Sequence, residues 1–285
     1  MPENTLPAFA RALELGVTTL ELDCGITRDG VVVVSHDSAL NPDITRDAQG
    51  RWLERASPAI RRLTYEELSR YDVGRIKPGS EYARRFPKQR ALDHTPIPRL
   101  ADLFSRVRQS GNDRVRFNIE TKISPLRPDD TAAPDAFVRE LLEVVMRANF
   151  EGRVTVQSFD WRTLELVQRD APRIATAYLT AQESSMDNIR ARTGASPWTA
   201  PHHVSRYGGS IPRMIKAAGG ATWSPSYGEL TRDALGEAQS LGLKVVTWTV
   251  NGEADMRRMI EWGVDGIISD YPDVLLKIAG RAAPA

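Results

Sequence analysis

Glu21 and Asp23 stand two residues apart in Thr19-Leu20-Glu21-Leu22-Asp23, so on an extended strand both carboxylates project from one face. Asp29-Gly30, a tight-turn pair, joins that run to Val31-Val32-Val33-Val34-Ser35-His36-Asp37. A hairpin at this point returns His36 toward the two carboxylates. Carboxylates sharing one face repel each other, and a hard divalent cation with oxygen ligands relieves the repulsion. A histidine beside such a cation is placed for acid/base work on a phosphate ester. A third acidic run, Asn118-Ile119-Glu120-Thr121-Lys122, puts Asn118, Glu120 and Lys122 on one strand face. Glu21, Asp23 and Glu120 are therefore candidate ligands of one Mg²⁺ or Ca²⁺, with coordination positions left for a substrate phosphate. Lys122 is a candidate phosphate contact, acting as a point charge. Trp248, set among Thr247, Thr249 and Asn251 at the end of a late strand, is a candidate apolar wall for the same pocket.

Taken singly, each of these residues has an ordinary structural reading. A Glu-x-Asp pair is common surface alternation, and an exposed Glu120–Lys122 ion pair is worth little. His202-His203 reads as exposed loop. The chemical reading rests on joint occurrence at successive strand ends, in otherwise apolar strands.

The elements that must position these residues alternate in type. Leu6 to Leu15 carries a helical stripe of Leu6, Phe9, Ala10 and Leu13, with Gly16 as its C-cap. Later strands are expected over 116–122, 154–159, 174–179, 221–225, 244–250 and 266–269. Helices are expected over 136–148, 161–170, 211–218, 231–241 and 253–262. Repeated strand–helix alternation with right-handed crossovers predicts a parallel α/β sheet. Strand 19–23 and its six successors fit a (β/α)₈ TIM barrel from which one strand is absent, with 31–37 as the hairpin partner of 19–23. The expected organisation is a single barrel domain over 1–285. Residues 38 to about 98, rich in Arg, Pro, Asp and Ser, break the rhythm and read as a small inserted subdomain over the barrel mouth. A second irregular stretch spans 196–209.

Composition excludes several classes of function. With 38 Lys+Arg against 37 Asp+Glu and a net charge of +1, the 285-residue chain has no global field for nucleic acid. A single cysteine, Cys24, excludes a disulfide framework and a cysteine zinc site, and its place next to Asp23 turns it to the opposite strand face, for packing. No apolar run is long enough to cross a membrane, and Met1-Pro2-Glu3-Asn4 is not a signal peptide. The expected location is the cytoplasm, or the periplasm or exterior if a signal precedes Met1. Oligomeric state is open.

Read in order, the motifs resemble the glycerophosphodiester phosphodiesterase family. They are Pro2-Glu3-Asn4-Thr5-Leu6 with Ala8-Phe9, then Glu21-Leu22-Asp23, Asp29-Gly30-Val31 and His36-Asp37. Ile97-Pro98-Arg99-Leu100 follows as the lead-in to a helix, then Asn118–Lys122, Gln157-Ser158-Phe159, Thr247–Asn251 and Gly263–Pro272. The resemblance spans essentially the whole chain. It implies a TIM barrel with an insertion after the second-strand hairpin, a divalent metal on Glu21, Asp23 and Glu120, His36 as general acid and Lys122 on phosphate. It implies a small-molecule substrate, a glycerophosphodiester split into glycerol 3-phosphate and an alcohol, and a place in glycerol and lipid metabolism. In the family the neighbouring glycerol hydroxyl attacks phosphorus and water then opens the cyclic phosphate, chemistry that proximity and charge neutralisation favour.

One departure matters. The family carries a His-Arg-Gly motif on a strand upstream of Pro-Glu-Asn-Thr, and here Met1 stands one residue before Pro2. The expectation is a truncated record of a real enzyme, with weak activity or none until the upstream strand is restored, because the tail Arg281–Ala285 is too short to replace it. The alternatives left open are a non-catalytic barrel that binds phosphodiesters or a protein partner through the metal face, and a related lyase acting on choline phospholipids. Arg46, Arg51, Arg55, Arg61 and Arg62 in the insertion argue against the apolar rim that such a lyase needs.

Overall fold

The computed structural model describes residues 1–54 and 58–280. Arg55 and the tail Arg281–Ala285 lie outside the described residues. The chain divides into two compact units, one of Met1–Glu14 with Thr18–Glu151, the other of Leu15–Val17 with the chain from Gly152 onward.

The first unit opens with helix α1 (Leu6–Leu15), which buries Phe9 and ends at Gly16 in the left-handed conformation, φ 79°. Strand β1 (Thr19–Ile26) and strand β2 (Val32–Val34) form the expected hairpin, pairing Cys24 with Val34 and Ile26 with Val32. Thr27 and Asp29 close the turn through a 2.6 Å hydroxyl–carboxylate bond, and Gly30 takes φ 80°, where a side chain would strain the backbone. Strand β3 (Arg116–Thr121) runs parallel to β1, with Glu21 opposite Asn118 and Asp23 opposite Glu120.

Residues between the hairpin and β3 build an apolar cluster of their own: Leu40, Ile60, Leu68, Val73 and Ile97 pack with Val33 of β2. Two short helices stand here, α2 (Tyr65–Leu68), capped by Thr64 and Glu67, and α3 (Glu81–Arg85), capped by Ser80. Asp72 ties the segment together. Its carboxylate accepts from the backbone N–H of Gly74 at 2.8 Å, His94 at 2.9 Å and Thr95 at 3.2 Å, and from the Arg46 guanidinium. Asp93 bridges Arg46 and Arg75. Gly74 is required by close approach, since a Cβ there would lie 1.6 Å from the Leu92 carbonyl oxygen.

Helices α4 (Leu100–Gln109) and α5 (Pro134–Arg147) complete the unit, burying Leu103, Phe104 and Val107 from one and Phe137, Leu141 and Val145 from the other. Phe104, Phe117 and Phe150 meet with ring centroids 4.9–5.3 Å apart, an arrangement worth about 0.5–1.5 kcal/mol per pair beyond burial.

In the second unit five parallel strands alternate with helices. The order is β4 (Val154–Ser158), α6 (Trp161–Asp170), β5 (Ala175–Thr180), α7 (Ile211–Ala217), β6 (Thr222–Pro225), α8 (Arg232–Ser240), β7 (Lys244–Thr247), α9 (Glu253–Trp262), β8 (Gly266–Ile267) and α10 (Pro272–Ile278). Trp161 and Tyr178 are fully buried and meet edge to face at 4.7 Å. The last two strands are shorter than their apolar patterns suggest. Beyond Thr247 and Ile267 the ladder gives way to a loop in which the Asn251 amide bonds the Ser269 hydroxyl, the Asp270 backbone and the Asp270 carboxylate.

Candidate metal centre

Three carboxylates converge in the first unit. Glu21, Asp23 and Glu120 each offer an oxygen, and these atoms all lie within 4.8 Å of one another. Sheet register produces this: Glu21 and Asp23 share a face of β1 because strands alternate, and parallel pairing sets Glu120 of β3 directly beside Asp23. Asp23 and Glu120 are 6% and 7% exposed, so their charges are largely withdrawn from water.

Two backbone bonds bring the remaining predicted residues to the cluster. The Ser35 N–H donates to the Asp23 carbonyl at 2.9 Å, which holds the chain after β2, and with it His36, alongside β1. The Lys122 N–H donates to the Cys24 carbonyl at 3.1 Å, continuing the β1–β3 ladder past the end of β3. The Lys122 ammonium then lies 3.0 Å from Glu120 Oε1 and 3.6 Å from Asp23 Oδ1. His36 Nδ1 is 3.0 Å from Asp37 Oδ1, and the Asn41 amide donates to Asp37 Oδ2 at 2.9 Å. The His36 side chain stays half exposed.

The ionisation of the cluster follows from burial set against partners. Burial raises the Glu120 carboxyl, Lys122 opposes that, Asp23 adds to it, and the result is about 7. Burial raises Asp23 too, but Lys122, His36 and the Asn4 amide outweigh it and its net shift is downward. For Lys122, burial disfavours the charge, yet Glu120 and Asp23 reverse the balance and hold it protonated. The Asp37 hydrogen bond is the main cause of a His36 value near 9, so the imidazole carries its proton at neutral pH.

The donor set suits a hard divalent cation. It is all oxygen, it is anionic, and the separations match ligands at about 2.0–2.6 Å from a common centre. The negative charge exceeds what Lys122 alone balances. Among the described residues this is the group of acidic side chains close enough to hold an ion.

Trp248 lies in the second unit, just past β7. Its indole N–H donates to the Ser224 carbonyl at 2.9 Å, and its ring meets Phe159 edge to face at 5.4 Å. His202 bonds the Tyr207 hydroxyl at 2.7 Å, and His203 is buried against Ser205 and the Arg190 carbonyl. The exposed-loop expectation therefore misses His203, which is 3% exposed.

Two contributors to the site were not singled out from the sequence. Asn4 donates through Nδ2 to Asp23 Oδ2 at 2.9 Å and accepts the Asp23 N–H through Oδ1 at 3.3 Å. Asp37 orients His36. Both lie inside motifs quoted above, but neither spacing nor periodicity reveals the Asn4–Asp23 bond across 19 residues, and adjacency alone does not show that Asp37 turns toward its neighbour His36.

The profile of the Glycerophosphoryl diester phosphodiesterase family matches residues 1–274. The chain is similar to the glycerophosphodiester phosphodiesterase of Caldanaerobacter subterraneus subsp. tengcongensis, 28% identical over 281 residues, covering 99% of this chain and 93% of that one. It is similar to the glycerophosphodiester phosphodiesterase of Bacillus altitudinis, 29% identical over 282 residues, covering 97% and 92%. A crystal structure from Silicibacter pomeroyi DSS-3, named provisionally a glycerophosphoryl diester phosphodiesterase, superposes with a TM-score of 0.86 at 36% identity, over 100% of this chain and 91% of that one.

Proposed function

The chain belongs to the glycerophosphoryl diester phosphodiesterase family, with that family's α/β TIM-barrel fold, and on that premise we propose that it hydrolyses glycerophosphodiesters to glycerol 3-phosphate and an alcohol in a reaction dependent on Mg²⁺ or Ca²⁺. The observation that carries this reading is the convergence of Glu21, Asp23 and Glu120 within 4.8 Å, with a protonated His36 held beside them. The proposed domain runs over the whole barrel chain with 38–98 as its insertion.

Glu21, Asp23 and Glu120 would hold the cation, which when bound supplies Lewis-acid neutralisation of charge on the phosphoryl oxygens. His36 donates its proton to the oxygen of the departing alcohol, since Asp37 holds that proton on the imidazole at neutral pH. Lys122, kept charged by Glu120 and Asp23, faces the phosphate as a fixed positive charge. The part proposed for Trp248, an apolar substrate contact, rests on its residue type and its place after β7. Water contributes the hydroxyl that ends on phosphorus and the proton that re-arms His36. No helix among the described residues is long and apolar enough to cross a membrane.

The test is glycerol 3-phosphate release from glycerophosphocholine with Mg²⁺, Ca²⁺ or EDTA, on the parent chain and His36→Ala. The expected result is release that needs a cation and falls about 10²–10⁴-fold in the variant. Release that persists in EDTA, or that His36→Ala leaves intact, overturns the reading.

A further inference from the structure

Asn4 stands outside the cluster of ionisable groups, yet both ends of its side chain engage Asp23. Nδ2 donates to Oδ2 at 2.9 Å, and Oδ1 accepts the Asp23 backbone N–H at 3.3 Å. Only one orientation of the amide works. Turned over, its NH₂ would face an N–H and its oxygen would face a carboxylate. Asp23 Oδ2 is thereby occupied, and Oδ1 is left on the side of Lys122, 3.6 Å from the ammonium that also lies 3.0 Å from Glu120 Oε1.

The backbone supports the same role. Asn4 has φ 52°, in the left-handed region that asparagine tolerates better than most side chains. On one side Thr5 fastens the turn, its hydroxyl donating to the Pro2 carbonyl at 2.7 Å and accepting from the Ala8 N–H at 3.4 Å as α1 begins. On the other, the Tyr82 hydroxyl of α3 donates to the Glu3 carboxylate. A turn anchored to a helix and to the insertion presents its amide at a fixed place.

We infer that Asn4 is a positioning residue that presets the Asp23 carboxylate for the divalent cation, holding one oxygen so that the other is aimed into the Glu21–Asp23–Glu120 cluster. The inference rests on the metal reading given above. A ligating carboxylate free to rotate would have to be ordered at binding, and partners of this kind are worth about 10–100-fold in metal affinity.

The experiment is calorimetric titration of the full chain with Mg²⁺ and with Ca²⁺ at pH 8. Asn4→Gly removes both bonds while keeping the left-handed backbone accessible, and Glu120→Gln defines heat that does not come from the cluster. Thermal midpoints are recorded in EDTA, and substrate KM at saturating cation. The expected outcome is cation affinity lowered about 10–100-fold in Asn4→Gly, with an unchanged KM and only the modest fall of the midpoint in EDTA that two lost hydrogen bonds cause. Equal affinity in parent and variant overturns the inference, as does an affinity loss that deepens with the fall in midpoint from Asn4→Gly to Asn4→Ala, which marks a merely structural turn. A parent chain that binds no cation overturns the metal reading itself, and this inference with it. Asn4→Ala, strained at φ 52°, adds a control: a lower midpoint than Asn4→Gly at equal cation affinity supports the proposal, and a lower affinity than Asn4→Gly contradicts it.

Discussion

Two charge clusters in the first unit solve opposite problems. In the insertion, Asp72 and Asp93 face Arg46 and Arg75, so charges cancel, and three backbone N–H groups complete the shell of Asp72. On β1 and β3, Glu21, Asp23 and Glu120 are set against Lys122, and His36 is already matched by Asp37. In the first network every charge has its partner within the protein. The second gathers three carboxylates about one ammonium, and one of its acids, Glu120, is lifted toward neutrality by burial, with Asp23 adding to it. Three carboxylates gathered about one ammonium, away from water, make a place suited to a further positive charge.

The largest effect that would break this comparison is on turnover. Glu120→Gln removes a cation ligand and should lower activity by about 10³-fold, roughly 4 kcal/mol of transition-state stabilisation. The same change should raise the thermal midpoint in EDTA, because it relieves repulsion. A variant that stays active, or that melts earlier in EDTA, would make the cluster an ordinary ion network.

Asp72→Asn should behave in reverse. It leaves the Arg46 charge short of a partner and weakens bonds to three N–H groups, for a loss of about 2–3 kcal/mol read from the urea midpoint. Turnover per folded molecule should be unchanged.

A smaller effect concerns pH. Cation ligands must be ionised, so binding to Glu120 displaces a proton held with a value near 7. Affinity should rise about tenfold from pH 6 to pH 8, with one proton released per cation at the acid end, measured by calorimetry in two buffers of different ionisation enthalpy. Without cation the linkage has the opposite sign. A carboxyl raised above its ordinary 4.5 favours the folded state below that value, and the contribution is lost as pH rises through about 7. Asp23, shifted downward, contributes stability at higher pH that is lost as the medium becomes acid.

The smallest expected change is in the alkaline limb of the rate profile. His36 acts as an acid while protonated, so activity should fall as pH passes about 9. Asp37→Asn removes the main support for that proton and should move the limb toward the ordinary histidine value, with a few-fold loss at pH 7. A limb that stays in place would assign it to another group.

The β1–β2 hairpin, β3 and helices 161–170 and 253–262 were legible in the sequence because periodicity and turn chemistry act locally. The carboxylate cluster was legible for the same reason: alternation fixes a face, and parallel pairing does the rest. Helices α2 and α3 were not, since four or five residues carry no helical period. Nor was α10, whose apolar positions follow Pro272 too briefly to register. Asn4 escaped for a different reason. Its contribution depends on where a turn lands after the chain has folded, and residue type alone does not encode that.

Cys24 gives the molecule an internal clock. It is the only cysteine, lies on the middle strand of β2–β1–β3 between Val34 and Thr121, and is wholly buried. Burial, then Asp23 and Glu21, push its thiol well above the ordinary value, so a thiol reagent meets neither access nor thiolate while β1 is in place. Labelling therefore counts openings of the strand that carries two of the three carboxylates. A cation that binds only the closed strand should slow that count by the factor 1 + [L]/Kd. The sulfur, which takes no part in the chemistry, thus reports in real time how firmly the metal site is held.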